Sequence, residues 1–531
     1  MRSIGAIGEV QTTSAAEHLK TVFDRFENSP EPCYRHSGGD LRFSDLYVRV
    51  LELLRHFVVA GVPADTPLPV LIWGHKDHRY LIAYWACLLS GRALVPVEPE
   101  TPLERIKQIA ATSNACVILI ADAADRGGMV ESLSHSLPVI RIGDGGPEVA
   151  PQSRPDTLLR TEAIRDDDVA YIMFSSGTLG QPKGIQVTYA NLVDFIRWLD
   201  VLLPEAASFL AVSGNIRYCF DVSLFEIWTA WLHRLPITAL DHADFANSTT
   251  YIQRLAQDRV SLWVSTPSIV RLFLRNRRFN AATLPDCKTF LFCGEPLTKV
   301  IVRELFERFP GCRIVNTYGP TECTVAVTSV DIADSHLEAE HELPIGYARA
   351  GTRLEHPANI EGQEPGGEIL IRGRSVGRGY MGLPEKQKSA FPEDQLYRTG
   401  DWGWQADDGL WYFKGRIDRE VKIQGLRIDL DDVEAHIRNK AGVEDAVVGV
   451  FMLDGQPRAL QAFVVGPQTA GDLRKLADLL AEELPHYLVP KFWHAGFETK
   501  LNNNSKLDRQ AVLADTTVSA VRYVHAQQAD R

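Results

Sequence analysis

The segment YIMFSSGTLGQPKG, residues 171–184 of the 531-residue chain, combines residue types suited to holding an anion. An apolar run ending at Phe174 reads as a buried strand and leads directly into Ser175, Ser176, Gly177, Thr178, Gly180 and Lys183. Glycines let successive main-chain N–H groups turn inward, and hydroxyls with an ammonium add donors, a combination matched to a triphosphate. The spacing is not the GxxxxGK[ST] of a P-loop. A single Gly-Ser cluster is by default a flexible turn, but this one is far more specific.

The elements that must position this loop are written as short apolar runs between helical-period segments. PVLIW at 69–73, ACVILIA at 115–121, VAYIMF at 169–174, SLWVS at 261–265, TFLFC at 289–293 and CRIVN at 312–316 predict strands. Residues 101–113 and 300–309 carry apolar positions at three and four spacing, as helices covering a sheet do. The alternation predicts α/β layers. From about residue 360 the texture changes to Gly-rich short strands and then to a small helix-and-strand unit containing AVVGVF and ALQAFVV. The expected organisation is a large multi-sheet α/β domain over 1–417 and a small α+β lid over 418–531.

Composition narrows the function. The charge balance is 56 basic against 68 acidic residues, a net −12, without a run of five like charges, which argues against non-specific nucleic-acid binding. Eight cysteines are scattered without a CxxC pair, as expected of reduced thiols in a cytoplasmic protein. The most apolar stretch, Leu81 to Leu89, is half the length of a membrane span, and the N-terminus lacks the apolar core of a signal peptide.

With these residues in place the chain resembles the adenylate-forming superfamily of acyl-CoA synthetases, luciferases and peptide-synthetase adenylation domains. That family's phosphate loop reads close to TSGTTGxPKG. Further matches follow in the family's order: NTYGPTE at 316–322, GEILIRG at 367–373, YRTGD at 397–401, GRIDREVKIQGLRI at 415–428 and NSKLDR at 504–509. Within the superfamily WGHKD, SLWVSTPS, FLFCGEPL and NTYGPTECTVAVTS look like the D-alanine:D-alanyl carrier protein ligase group.

The resemblance implies ATP and Mg2+ as cofactors. It places Tyr318 on adenine, Asp401 on the ribose hydroxyls, Arg416 on ribose or phosphate, and Gly294, Glu295, Asn316 and Thr317 around the nucleotide. Glu322 becomes the metal ligand, Lys183 and Lys506 catalytic cations, and Asp418 the hinge between the domains. A carboxylate suits each acidic role, since it accepts from two hydroxyls or offers oxygen to a hard cation. Taken alone, Asp401 would be a turn former and Lys506 a solvated surface residue.

Asp221, in RYCFDVSLFEIW, stands where amino-acid-activating members keep an aspartate for the substrate ammonium; alternatively it caps a helix starting at Val222. Alignment around the motifs lines the rest of the pocket with Val222, Phe225, Val264, Leu291, Cys293, Thr317, Val325 and Ala326, none charged. A lining without countercharge, shortened by Phe225, predicts a small or medium neutral amino acid. Four positions depart from the family or group pattern: Leu179 at a hydroxyl position of the phosphate loop, Gln424 at a basic one, Ser505 at a glycine, and Phe225 bulkier than D-alanine requires. Leu179 is expected to weaken ATP binding without abolishing it.

The implied reaction is activation as an aminoacyl-AMP, then transfer to the phosphopantetheine thiol of a separate carrier protein. An acyl-CoA synthetase for a non-amino acid is opposed by Asp221. A catalytically reduced binding or scaffold subunit is suggested by Leu179 and Ser505.

Overall fold

The computed structural model describes residues 13–523 except 37–38, 60–61, 63–66, 122–128, 135–136, 144–160, 176–181, 241–246, 357–365, 442, 454–455, 466–468, 496–511 and 514–519. Each apolar run expected to be a strand lies on one. Val70–Trp73, Leu94–Val97, Val117–Ile120, Val139–Arg141 and Val169–Ser175 form the parallel part of a seven-stranded sheet, which Lys183–Thr188 and Gly379–Met381 extend antiparallel. Val212–Gly214, Ile237–Ala239, Leu262–Ser265, Thr289–Phe292 and Arg313–Tyr318 lie parallel in a nine-stranded sheet. The two segments with three-and-four spacing are the helices Leu103–Ser113 and Lys299–Arg308.

The run Leu81 to Leu89 falls in the helix His78–Leu89, capped by Asp77 and buried at every residue from Arg79 onward. Its length reflects its place between packed layers: a helix apolar all round is a core helix. Among the described residues no helix is long and apolar enough to cross a membrane. Trp85 on this helix meets Trp228 and Trp231 of the helix Ser223–His233, with ring centroids 5.4 and 4.8 Å apart.

That aromatic junction holds the helix immediately following Asp221. On the same helix, buried Glu226 accepts the main-chain N–H groups of Asn215 (2.6 Å) and Ile216 (3.1 Å), and Lys76 lies 3.5 Å from its other oxygen. Burial pushes the Glu226 pKa up to about 7 against the pull of Lys76. The loop ending in Asp221 is thereby tied at both ends.

Thr352–Glu355, Gly367–Gly373, Leu396–Gln405 and Trp411–Arg416 form a four-stranded antiparallel sheet. After Asp418 come a two-stranded hairpin, Glu420–Ile423 with Leu426–Asp429, and a sheet of Asp445–Leu453, Gln456–Val465, Phe492–Ala495 and Ala520–Arg522. AVVGVF and ALQAFVV are the antiparallel partners in that last sheet. The apolar core formed by Ile423, Val433, Leu460, Leu480 and Trp493 is drawn from this segment, with Phe220 packed against it from the preceding part of the chain.

Trp85→Ala should lower stability by about 3–5 kcal/mol, the usual cost of emptying a large aromatic site. Urea denaturation followed by circular dichroism measures it, and a midpoint equal to wild type would show that the tryptophan junction is not a principal support.

Candidate active site

The parallel strands of the nine-stranded sheet end side by side, with Val264 opposite Leu291 and Leu291 opposite Val315. Loops at such carboxyl ends are where open α/β sheets assemble ligand sites. Here the strand ends and the loops after them carry Cys293, Gly294, Asn316 to Glu322 and, from the neighbouring loop, Asp221.

Asp221 is 5% exposed, and its Oδ2 has no hydrogen-bond partner among the described residues. The helix-cap reading fails: the helix begins at Ser223, and the first-turn N–H of Leu224 bonds the main-chain carbonyl of Asp221 at 2.9 Å. Burial raises the Asp221 pKa to about 6, assisted by the charge of Glu322 and opposed by the Thr321 hydroxyl, Lys422 and the Val325 N–H. The arrangement is a desolvated carboxylate with an open acceptor, which favours a cationic partner.

Phe225, Val264, Leu291, Cys293, Val325 and Ala326 share one apolar cluster, and Val222 packs against it. Phe225 is fully buried, its ring 5.2 Å edge-on to Phe195. Cys293 has its thiol pushed up to about 11 by burial, against a hydrogen bond with Thr317, and so is a neutral wall. Thr317 donates its hydroxyl to the Phe292 carbonyl (2.8 Å), and Asn316 donates its amide to the Pro344 carbonyl (2.8 Å).

Glu322 lies on the 3-10 turn Thr321–Cys323 and is fully buried. Arg427 donates through one Nη1 to both carboxylate oxygens (3.0 and 2.8 Å), Tyr380 donates its hydroxyl (2.8 Å), and the Lys183 ammonium lies 3.5 Å away. Burial alone would raise the carboxyl; Arg427 and Lys183 outweigh it and hold the pKa down at about 2. Glu420 also pairs with Arg427 (2.5 Å) and Arg416 (2.7 Å), with Lys183 at 3.7 Å. Among the described residues no three acidic, His or Cys side chains converge as a metal cage. An ionised carboxylate 3.5 Å from the Lys183 ammonium nevertheless suits Mg2+, which is held by one or two carboxylates together with substrate phosphates.

Asp401 faces the same cleft, 5% exposed; Tyr318 donates to its Oδ2 (2.5 Å) and Arg416 to its Oδ1 (2.7 Å). Arg416 also grips both oxygens of Asp418 (2.8 and 2.5 Å), joining the expected hinge residue to the expected ribose ligand. Gly294 has a φ of +93°, and the Glu295 carboxylate is engaged at both ends by main-chain N–H groups, Ser268 at 2.9 Å and Gly425 at 2.6 Å. Ser175 ends its strand opposite Lys183. Ser176, Gly177, Thr178, Leu179 and Gly180, and likewise Ser505 and Lys506, lie outside the described residues.

Sequence reasoning missed Tyr380, Glu420, Lys422 and Arg427 as site residues. Charged residues on a short hairpin read as solvent-facing, and only the docking of that hairpin brings Arg427 to Glu322; Tyr380 reaches Glu322 from the separate strand Gly379–Met381. Gln424, noted as a departure from the family, has a structural role: with φ values of +54° and +82°, Gln424 and Gly425 are the hairpin's two turn residues. A Cβ on Gly425 would lie 2.7 Å from Thr266 Cγ2, so the close approach selects glycine. Thr324 and Val325 take φ values of +59° and +69°, costly for β-branched residues and characteristic of functional turns.

The chain belongs to the AMP-binding enzyme family, whose pattern matches residues 20–381, and it is an AMP-forming ligase. It is 33% identical over 530 residues to a D-alanine–D-alanyl carrier protein ligase of Listeria monocytogenes serotype 4a (strain HCC23), covering 94% of this chain and 99% of that one. The protein of the same name in Bacillus cereus (strain G9842) is 32% identical, covering 88% and 93%. The Vibrio cholerae adenylation domain AlmE, solved with glycyl-adenosine-5'-phosphate, has the same fold, with a TM-score of 0.78, 20% identity and coverage of 96% and 100%.

Tyr318→Phe deletes one hydroxyl and leaves Asp401 short of a donor. The ligand-free protein should lose about 1.5–3 kcal/mol, the worth of a hydrogen bond to a charged group, read as a shift in the urea midpoint.

Proposed function

We propose that the chain activates a small or medium neutral amino acid as its adenylate and transfers it to a phosphopantetheine thiol on a separate carrier protein. The observation that carries the amino-acid part is Asp221, a buried carboxylate with an open oxygen among uncharged walls. Facing a substrate without an ammonium, such a charge would remain uncompensated at about 3–5 kcal/mol. The names of the Listeria and Bacillus relatives support a carrier protein as acceptor, and the eight free cysteines suit a cytoplasmic setting.

In the first step a carboxylate oxygen of the amino acid attacks the α-phosphorus of ATP and pyrophosphate leaves. In the second, the carrier's thiol sulfur attacks the acyl carbon, AMP leaves, and the thiol proton passes to solvent. Asp221 holds the ammonium, Val264, Leu291, Cys293 and Val325 bound the side chain, and Asp401 with Tyr318 and Arg416 receives the nucleoside. Lys183 and Lys506 supply positive charge to the reacting phosphate, the usual form of catalysis in phosphoryl chemistry. Glu322 would hold Mg2+, which neutralises phosphate charge when bound.

Residues 1–417 and 418–531 are read as two bodies that reorient at Asp418 between the steps, as closing and opening lids do. A cleft lined by Arg105, Arg217, Phe220, His486 and Tyr487 lies between the two parts, the side from which the thiol is proposed to enter.

Pyrophosphate exchange across both enantiomers of the neutral amino acids and their deamino analogues tests the reading. Exchange should require the amine, and a signal confined to deamino acids would overturn it. Because the Asp221 carboxyl is pushed up to about 6, it protonates as pH falls through that value and loses its hold on the ammonium. The kcat/KM for the amino acid should therefore fall up to about tenfold per pH unit below about pH 6, and the fall should vanish in Asp221→Asn. Lys506→Ala should abolish adenylation yet spare thioester formation from supplied aminoacyl-AMP; equal loss of both would contradict its role.

A further inference from the structure

The hairpin Glu420–Ile423/Leu426–Asp429 brings a cation to a buried carboxylate of the preceding part of the chain. Arg427 contacts both oxygens of Glu322. The turn is latched where it enters, Gly425 N–H to Glu295 Oε1 at 2.6 Å. Arg427 is itself balanced by Glu420, so the guanidinium is held between two acids on opposite sides of the cleft.

A divalent cation at Glu322 would need lone pairs that Arg427 now takes, at the short, near-octahedral distances Mg2+ demands. It would also place two positive charges beside the guanidinium in a site shielded from solvent, where like charges repel strongly. The carboxylate therefore takes one partner or the other.

We propose that Arg427 is the resident counter-cation of Glu322, alternating there with the divalent cation that accompanies the nucleotide. The hairpin leaves the site when metal and nucleotide load and returns when they go. This rests on the nucleotide-dependent reading above and adds a cause for the movement: with only Lys183, 3.5 Å away, left beside it when Arg427 departs, the buried Glu322 regains full positive charge when the other cation takes that place.

Hydrogen–deuterium exchange of the full chain with Mn2+ and a non-hydrolysable ATP analogue tests this. In wild type, peptides covering 420–429 should exchange at least about fivefold faster with metal and analogue together than with analogue alone, within the ordinary range of coupling between sites. Arg427→Gln should exchange fast without metal and bind Mn2+, titrated by electron paramagnetic resonance, at least about fivefold more tightly. Arg427→Lys, which keeps the charge, should bind Mn2+ close to wild type. Wild-type protection indifferent to metal, or equal Mn2+ affinity in the Gln and Lys variants, overturns the proposal. Metal-driven release without pyrophosphate exchange for any amino acid would remove the amino-acid reading while supporting the alternation at Glu322.

Discussion

A carboxylate removed from water must be matched by positive charge, and this constraint at Glu322 organises the centre of the molecule. The residue is fully buried, and the sheet edge supplies Lys183 and Tyr380 while the hairpin beyond Asp418 supplies Arg427. Removing one partner from a buried pair costs far more than the pair contributes in place, so the location of Arg427 is bound to the state of Glu322. Glu420, Arg416, Asp401 and Tyr318 extend the alternation of charge to the expected ribose site without a break. Nucleotide chemistry and chain geometry thus share one electrostatic ledger.

Strain and close approach concentrate around the same point. Thr324 and Val325 lie in the left-handed region directly after the Glu322 turn, held by the Thr324 hydroxyl on the Ser375 carbonyl (2.8 Å) and the Val327 N–H on the Tyr318 carbonyl (2.7 Å). Two hydrogen bonds from within the fold hold a conformation the side chains disfavour. Glu295 closes the opposite side, its two oxygens joining the start of the helix Pro267–Leu274 to the hairpin turn.

The strands were legible because burial on both faces writes continuous apolar runs, as in VLIW and IMF, and the helices because one wet face imposes a period. Leu81 to Leu89 was legible only as apolar: a fully enclosed helix loses the periodicity that would name it. Asp221, Glu322 and Asp401 were singled out because their motifs carry them. Arg427, Lys422 and Glu420 were not, since a short charged hairpin has the same pattern whether it faces solvent or a buried acid, and only the three-dimensional docking decides. Glu295 was expected near the nucleotide by its motif, but nothing local indicates that its side chain bonds the main chain 130 residues away.

The walls around Asp221 are continuous with the main apolar core: Val264, Leu291, Cys293, Val325 and Ala326 sit in the same cluster as the tryptophans of the central helices. Under the proposed function, selectivity and foldedness would draw on the same atoms. Trimming a wall to admit a larger side chain removes core volume, at about 2–5 kcal/mol for a large aliphatic residue cut to alanine, a sizeable fraction of a domain's total stability. Descendants of this chain that change substrate must first accumulate stabilising substitutions elsewhere, or change in steps as small as one methylene. Under the proposed function the pocket's chemistry would in that sense be inherited conservatively.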